Sequence, residues 1–235
     1  MNYLYLILNL FSFIIPFAYS FEKRMSFISQ WKAIALALIS VSTIFIIWDV
    51  IFTINGVWGF NSDYLLGINI LHLPIEEWMF FLLIPYASFF IHYSLLFFFP
   101  KTQLPKKSTK WITLLLILFT LIVAILNNDK AYTFVNYSFL AFTLMVGLLY
   151  GKQLLQRFYL SFLIILIPFF VINGILTGSF IENEVVWYNN AENLGIRLFT
   201  VPIEDIGYAF SMIFLNVFLI EKFRKLFKLP ALKTR

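Results

Sequence analysis

Two six-residue segments carry the densest chemistry in the chain: Leu73-Pro74-Ile75-Glu76-Glu77-Trp78 and Val201-Pro202-Ile203-Glu204-Asp205-Ile206, with their prolines 128 positions apart. Only twelve of the 235 residues are acidic, so two matched pairs of carboxyls at the heads of apolar runs point to proton transfer. Burial disfavours the charged form of a carboxyl, and a second carboxylate nearby disfavours it further. One acid of such a group can then hold a proton while another stays ionised, which is the division of labour a general acid and a general base require. Acids at a helix start also complement the helix dipole, at about 0.3–1 kcal/mol each. That role needs neither a second adjacent acid nor a repeated loop upstream. Neighbouring helix residues point about 100° apart, so one acid of each pair faces a shared pocket squarely. The sequence leaves open which one; Glu76 corresponds to Glu204 and Glu77 to Asp205.

Other polar residues are candidates to line the same pocket. Asp49 sits inside an apolar run beside Trp48, and an acid within a membrane span is a functional candidate by default. Asn173-Gly174 ends another run. Arg197, seven residues before Glu204, is read either as holding a carboxylate ionised or as pairing with Glu192 at the surface. Trp58, Trp187 and Tyr188 are candidate cation-stabilising rings or interfacial anchors. His72 is a candidate loop donor, whereas His92 lies about 24 Å along a helix beyond Glu76, outside the cluster. Cysteine is absent, which excludes disulfides, thiolate ligands and a cysteine nucleophile. No glycine-rich nucleotide turn or zinc-ligand spacing appears, so no cofactor and no metal is expected.

The elements that must position these residues are membrane spans. Hydrophobic residues make up 61% of the chain, charged residues 12%, and the mean hydropathy is +0.88; a soluble domain is about a quarter charged. Apolar stretches at 3–20, 33–54, 78–99, 111–126, 131–150, 159–180 and 206–220 approach the roughly 20 residues that cross a bilayer as helix. The fourth and seventh are short. The first lacks a basic start and a small-residue cleavage site, so it is expected to be retained. Alternating seven spans puts 15 of the 17 Lys and Arg residues on one side, in segments 21–32, 100–110, 151–157 and 221–235. The positive-inside rule makes that side cytoplasmic, with the N-terminus outside and the C-terminus inside. These juxtamembrane charges suit anionic lipid headgroups and not a nucleic acid.

Glycine and aromatic residues repeat with the acids. At the offset of 128, Gly67-Ile68 matches Gly195-Ile196 and Phe60-Asn61 matches Tyr188-Asn189; allowing a one-residue gap, Trp58 matches Trp187. The expected fold is an all-α membrane protein of seven transmembrane helices, built as two parallel three-helix repeats joined by one helix: 1–100, a joining span in 101–130, and 131–235 with the basic tail. An odd joining span returns the chain to its starting side, so both acid motifs face the same pocket.

The duplicated Pro-Ile-acid-acid motifs, with Asp49, Trp58, Asn173-Gly174 and Gly195-Ile196-Arg197, resemble the integral-membrane carotenoid cyclases: the heterodimeric bacterial lycopene cyclases and their fused archaeal and fungal relatives. The resemblance covers essentially the whole chain in the fused arrangement. It implies a linear carotenoid substrate such as lycopene and a multi-pass protein of a bacterial inner membrane. It also implies association with other carotenoid-pathway enzymes. The reaction implied is lycopene β-cyclisation, by way of γ-carotene to β-carotene: protonation of a terminal double bond, attack by its neighbour, and loss of a ring proton, with no net redox change. Asp205 departs from Glu77 and hints at unequal roles for the two repeats. A competing class is proton-coupled transport of a lipophilic solute. A retinal protein is excluded by the absence of a Schiff-base lysine from 206–220, and a non-catalytic scaffold is disfavoured by the paired acids.

Overall fold

A computed structural model describes residues 3–230, so the end of the basic tail, with Lys233 and Arg235, lies outside the described residues. Seven helices run in order: α1 (Leu4–Tyr19), α2 (Trp31–Ile54), α3 (Ile75–Phe98), α4 (Lys106–Leu126), α5 (Ala131–Tyr150), α6 (Lys152–Leu176) and α7 (Glu204–Leu226). Six are long and apolar enough to cross a membrane. The seventh, α1, has 16 residues and is about 24 Å long, short of a typical hydrocarbon core of about 30 Å.

Three helices depart most from the apolar runs. α7 extends two residues back to include Glu204 and Asp205 and six forward through Lys222, Arg224 and Lys225. α4 begins at Lys106 and reaches 21 residues. α6 begins at Lys152 and ends at Leu176, because Gly178 adopts φ 108 and breaks the helix. Residues 151–157 are therefore not a loop. Gly151 alone links α5 to α6, and Lys152 and Arg157 sit on the first two turns of α6. Polar heads on long aliphatic stems let these helices continue past their apolar segments.

α1 packs along α3 and α5 packs along α7, the same arrangement in each repeat. The middle helices cross over: α2 lies mainly against α7 of the other repeat, and α6 against α3. The joining helix α4 covers α5 and also touches α6. Gly147 permits close packing where α5, α6 and α7 meet, since a Cβ there would stand 2.9 Å from both Leu155 and Phe214.

At one end of the bundle the long connections form six short strands: β1 (Trp58–Phe60), β2 (Asn69–Ile70), β3 (Leu73–Pro74), β4 (Val186–Tyr188), β5 (Arg197–Leu198) and β6 (Val201–Pro202). β2 pairs with β3, β5 with β6, and β1 with β4 across the two repeats. The antiparallel register sets Trp58 against Tyr188, Gly59 against Trp187 and Phe60 against Val186. Gly59 and Trp187 are thus counterparts at the offset of 128 and face one another on the axis relating the repeats. This corrects the gapped match of Trp58 with Trp187. Pro74 and Pro202 close β3 and β6, Pro74 directly before α3 and Pro202 one residue before α7, and neither occupies a first turn; Pro74 is extended at φ −64, ψ 149.

Candidate active site

The carboxyl pairs occupy the first turns of α3 and α7, and all four side chains are buried. Within each pair the two acids do different things. Glu76 Oε1 accepts the N–H of Leu66 at 2.6 Å, and Glu204 Oε1 accepts the N–H of Leu194 at 2.8 Å, so each holds the loop ten residues upstream. Asn9 on α1 donates to the backbone carbonyl of Glu76, and Asn136 on α5 does the same to Glu204. These two acids act as similar clamps between loop and helix, and Glu204 Oε1 accepts a further donor, the Thr133 hydroxyl at 2.7 Å.

Glu77 and Asp205 turn the other way, toward a cavity of about 440 Å³ between α1, α3, α6 and α7. Tyr5 on α1 donates its hydroxyl to Glu77 Oε2, and Tyr132 on α5 donates to Asp205 Oδ1. Asp205 Oδ2 accepts a second phenol, from Tyr188 at 3.0 Å. Glu77 Oε1 accepts no hydrogen bond among the described residues. The third acid is Asp49, near the end of α2; its Oδ1 accepts the indole N–H of Trp58, and its buried Oδ2 has no partner among the described residues. Asp49, Glu77 and Asp205 all line the head of the one cavity, with Tyr208 beside them.

Below this head the lining is apolar apart from Ser12 and Ser88. It follows α3 from Glu77 to Ile91, about 21 Å of helix. Along its side, Phe11 and Ile15 of α1 and Ile167 and Val171 of α6 line the cavity while remaining 57–67% exposed on the lipid-facing surface. The cavity therefore has a lateral mouth between α1 and α6.

The chain matches the lycopene cyclase family model over residues 2–96 and again over 129–223. It belongs to the lycopene cyclase family. The two matched segments are the two repeats, so family membership rests on both halves of the bundle. It supports carotenoid cyclase activity in general and implies a carotenoid substrate. Comparison with curated proteins and with solved structures finds no match.

Within this cyclase-family fold the other sequence candidates separate. Trp58 and Tyr188 line the cavity, as does Asn173, whose amide donates to Phe169 O at 3.2 Å. Trp187 does not line it; the indole lies outside over Gly59 and is 39% exposed. Arg197 pairs with neither Glu204 nor Glu192: it donates to Thr200 O at 2.7 Å and to Asn190 Oδ1 at 3.2 Å, with its guanidinium 5.7 Å from the ring centre of Tyr188. The loop between α6 and α7 offers closer acceptors than either carboxylate. Tyr188, on β4 outside the membrane-spanning helices, has its phenol pushed well above the usual range by burial and by the adjacent Asp205, and so remains a donor. His72 is exposed in the β2–β3 turn at φ 67, and His92 is buried far along α3 against Ser161. No group of three or more His, Asp or Glu side chains suited to a metal occurs among the described residues.

Sequence reasoning missed Tyr5, Tyr132, Asn9, Asn136 and Tyr208. A signal for four of them exists: Tyr-x-x-x-Asn occurs at 5–9 and again at 132–136, one turn apart on one helix face, 127 positions apart.

Proposed function

We propose that the chain is a lycopene β-cyclase, an isomerase that converts the linear ends of lycopene to β-ionone rings without net redox change. The observation that carries this reading is the convergence of Glu77, Asp205 and Asp49 at the closed head of an apolar cavity whose side opens to lipid. A carotenoid end enters through the mouth between α1 and α6, and the rest of the polyene stays among the apolar side chains and the bilayer.

The hydrogen bonding divides the roles. Both oxygens of Asp205 accept phenols, which suits a fixed carboxylate; Glu77 keeps one oxygen open to the cavity, which suits a proton carrier. Glu77 protonates the terminal double bond, leaving a tertiary carbocation. The neighbouring double bond attacks it and closes a six-membered ring. Asp205 then takes a ring proton to leave the β double bond, so one proton enters and one departs. Asp49 and the faces of Trp58 and Tyr208 surround the developing positive charge.

By charge distribution the hairpin end, with the site, lies on the non-cytoplasmic side, and the basic end lies in the cytoplasm. Residues 1–100 and 131–235 act as two half-sites joined through 101–130, and other carotenoid-pathway enzymes are the expected protein partners. Expression in lycopene-accumulating cells followed by pigment analysis tests the reading. β-Ringed products with the wild type, and their loss with Glu77→Gln at equal membrane levels, are expected. Unchanged lycopene with well-inserted wild-type protein would sink it.

A further inference from the structure

The second large cavity lies at the opposite, basic end of the bundle, where α3, α6 and α7 finish or begin, and has a volume of about 420 Å³. Five cationic side chains line it: Lys152 and Arg157 of α6, and Lys222, Arg224 and Lys225 of α7. A single carboxylate faces them. Glu221 is already engaged, accepting Arg224 at 2.7 Å and the Tyr93 hydroxyl at 2.9 Å. The other four cations make no ion pair among the described residues, where the remaining pair is Arg24 with Glu22. Arg157 Nε is buried and has no hydrogen-bond partner among the described residues.

Backbone geometry adds donors to this charge. Because Gly151 alone separates α5 from α6, the 25-residue α6 starts inside the cavity, and Lys152, Gln153 and Leu154 all line it. First-turn N–H groups have no intrahelical acceptor; the first bond closed here is Leu155 N–H to Gly151 O. Free amides, the positive end of a helix dipole and four unpaired cations make a concentrated site for an oxyanion. The rim is aromatic, with Tyr150 and Phe218 lining the cavity and the Lys222 ammonium 5.0 Å from the Phe218 ring centre. Such a rim belongs at the depth of lipid headgroups.

We propose that this pocket binds a phosphate group, which the headgroup of an anionic phospholipid supplies. The site is separate from the carboxyl-lined cavity and does not depend on the reaction proposed for it. A phosphate offers several acceptor oxygens to the Arg157 fork and the α6 amides at once. The volume exceeds that of a bare ion and leaves room for a headgroup.

The test uses the full-length protein in neutral detergent, with phosphatidylglycerol, diacylglycerol or inorganic phosphate as probe. Lipid retention is read by native mass spectrometry and binding by the rise in melting temperature. Wild-type protein is expected to retain phosphatidylglycerol but not diacylglycerol, and Arg157→Gln with Lys222→Gln is expected to retain at least tenfold less while melting alike without probe. Should that variant fail to insert, Lys152→Gln with Lys225→Gln removes two other cations and serves the same comparison. A rise with millimolar inorganic phosphate equal to that with phosphatidylglycerol, lost in the variant, supports the phosphate site but moves its source to a soluble phosphate. Equal retention of diacylglycerol, or retention unaffected by either double substitution, overturns the proposal.

Discussion

In the first repeat, α1 presents Ser12 to the space beside α6; one repeat later, α5 presents Phe139 at the matching turn to α2. The middle helices differ likewise. The bonds Val57 N–H to Phe52 O and Val185 N–H to Leu176 O set α2 and α6 in register, so that Trp48 stands where α6 has Ile172 and Asp49 where it has Asn173. Beside Ser12 and Ile172 the cavity is open. On the other side Phe139 meets Phe45 and Trp48 at 5.5 and 5.7 Å between ring centres, and Tyr208 closes on the same two rings at 4.9 and 5.0 Å. The loop clamps at Glu76 and Glu204 share their backbone contacts, whereas the spaces beneath them differ. Two similar halves thus give one groove with carboxyls from both repeats, while aromatic rings fill the equivalent space on the other side, and of these Tyr208 also lines the groove.

The largest expected effect tests whether the two pocket carboxyls are alike. Glu77→Gln removes the proton carrier and is expected to lower ring formation at least 100-fold, measured as cyclised pigment per unit of membrane protein. Asp205→Asn at similar loss keeps both halves in the chemistry; full activity would confine it to the first repeat. Next, Ser12→Phe moves the second repeat's plug into the open groove, and a roughly tenfold loss of product with unchanged melting is expected, as for blocked substrate positioning. Activity that survives Ser12→Phe would mean that the carotenoid end takes another route.

Smaller effects probe what the repeats share. Glu76→Gln and Glu204→Gln each weaken a buried hydrogen bond to a loop N–H and should cost about 1–3 kcal/mol of stability in detergent melting, more for Glu204→Gln because Glu204 Oε1 also accepts the Thr133 hydroxyl. Equal losses would mean that the Thr133 bond adds nothing to the second clamp. Smallest is Tyr188→Phe, which takes one of two phenol donors from Asp205 at about 1 kcal/mol, seen as a few-fold loss of turnover with little change in melting.

The carboxyl pairs, the shared order of the loops before them and the parallel repeat were legible because short motifs recur in one order at one offset; the short strands in those loops were not. Which acid of each pair faces the cavity was not. Glu76 and Glu77 are both buried on adjacent helix positions, and only the direction of the α1 and α5 partners tells them apart. The start of α6 was hidden for another reason: Lys152, Gln153, Gln156 and Arg157 depress hydropathy over turns that are helical all the same. Arg197 reaches neither carboxylate, and of the two readings of Trp187 the cavity ring does not hold, because residues in the loop before an acid need not reach it. The loop turned Arg197 to Thr200 and laid Trp187 over Gly59.

Gly59 and Trp187 face one another where β1 meets β4, its counterpart in the other half of the molecule. A Cβ on Gly59 would fall 2.3 Å from the Trp187 ring, so the indole is seated only because its counterpart has no side chain. Two identical subunits related by an axis through this pair would have to set indole against indole, or leave a hole between two glycines. Carrying both halves on one polypeptide frees the axis from that rule: one half supplies a peg, the other its socket. A chain assembled from two copies of the second repeat alone would jam at this point before its carboxyls ever met.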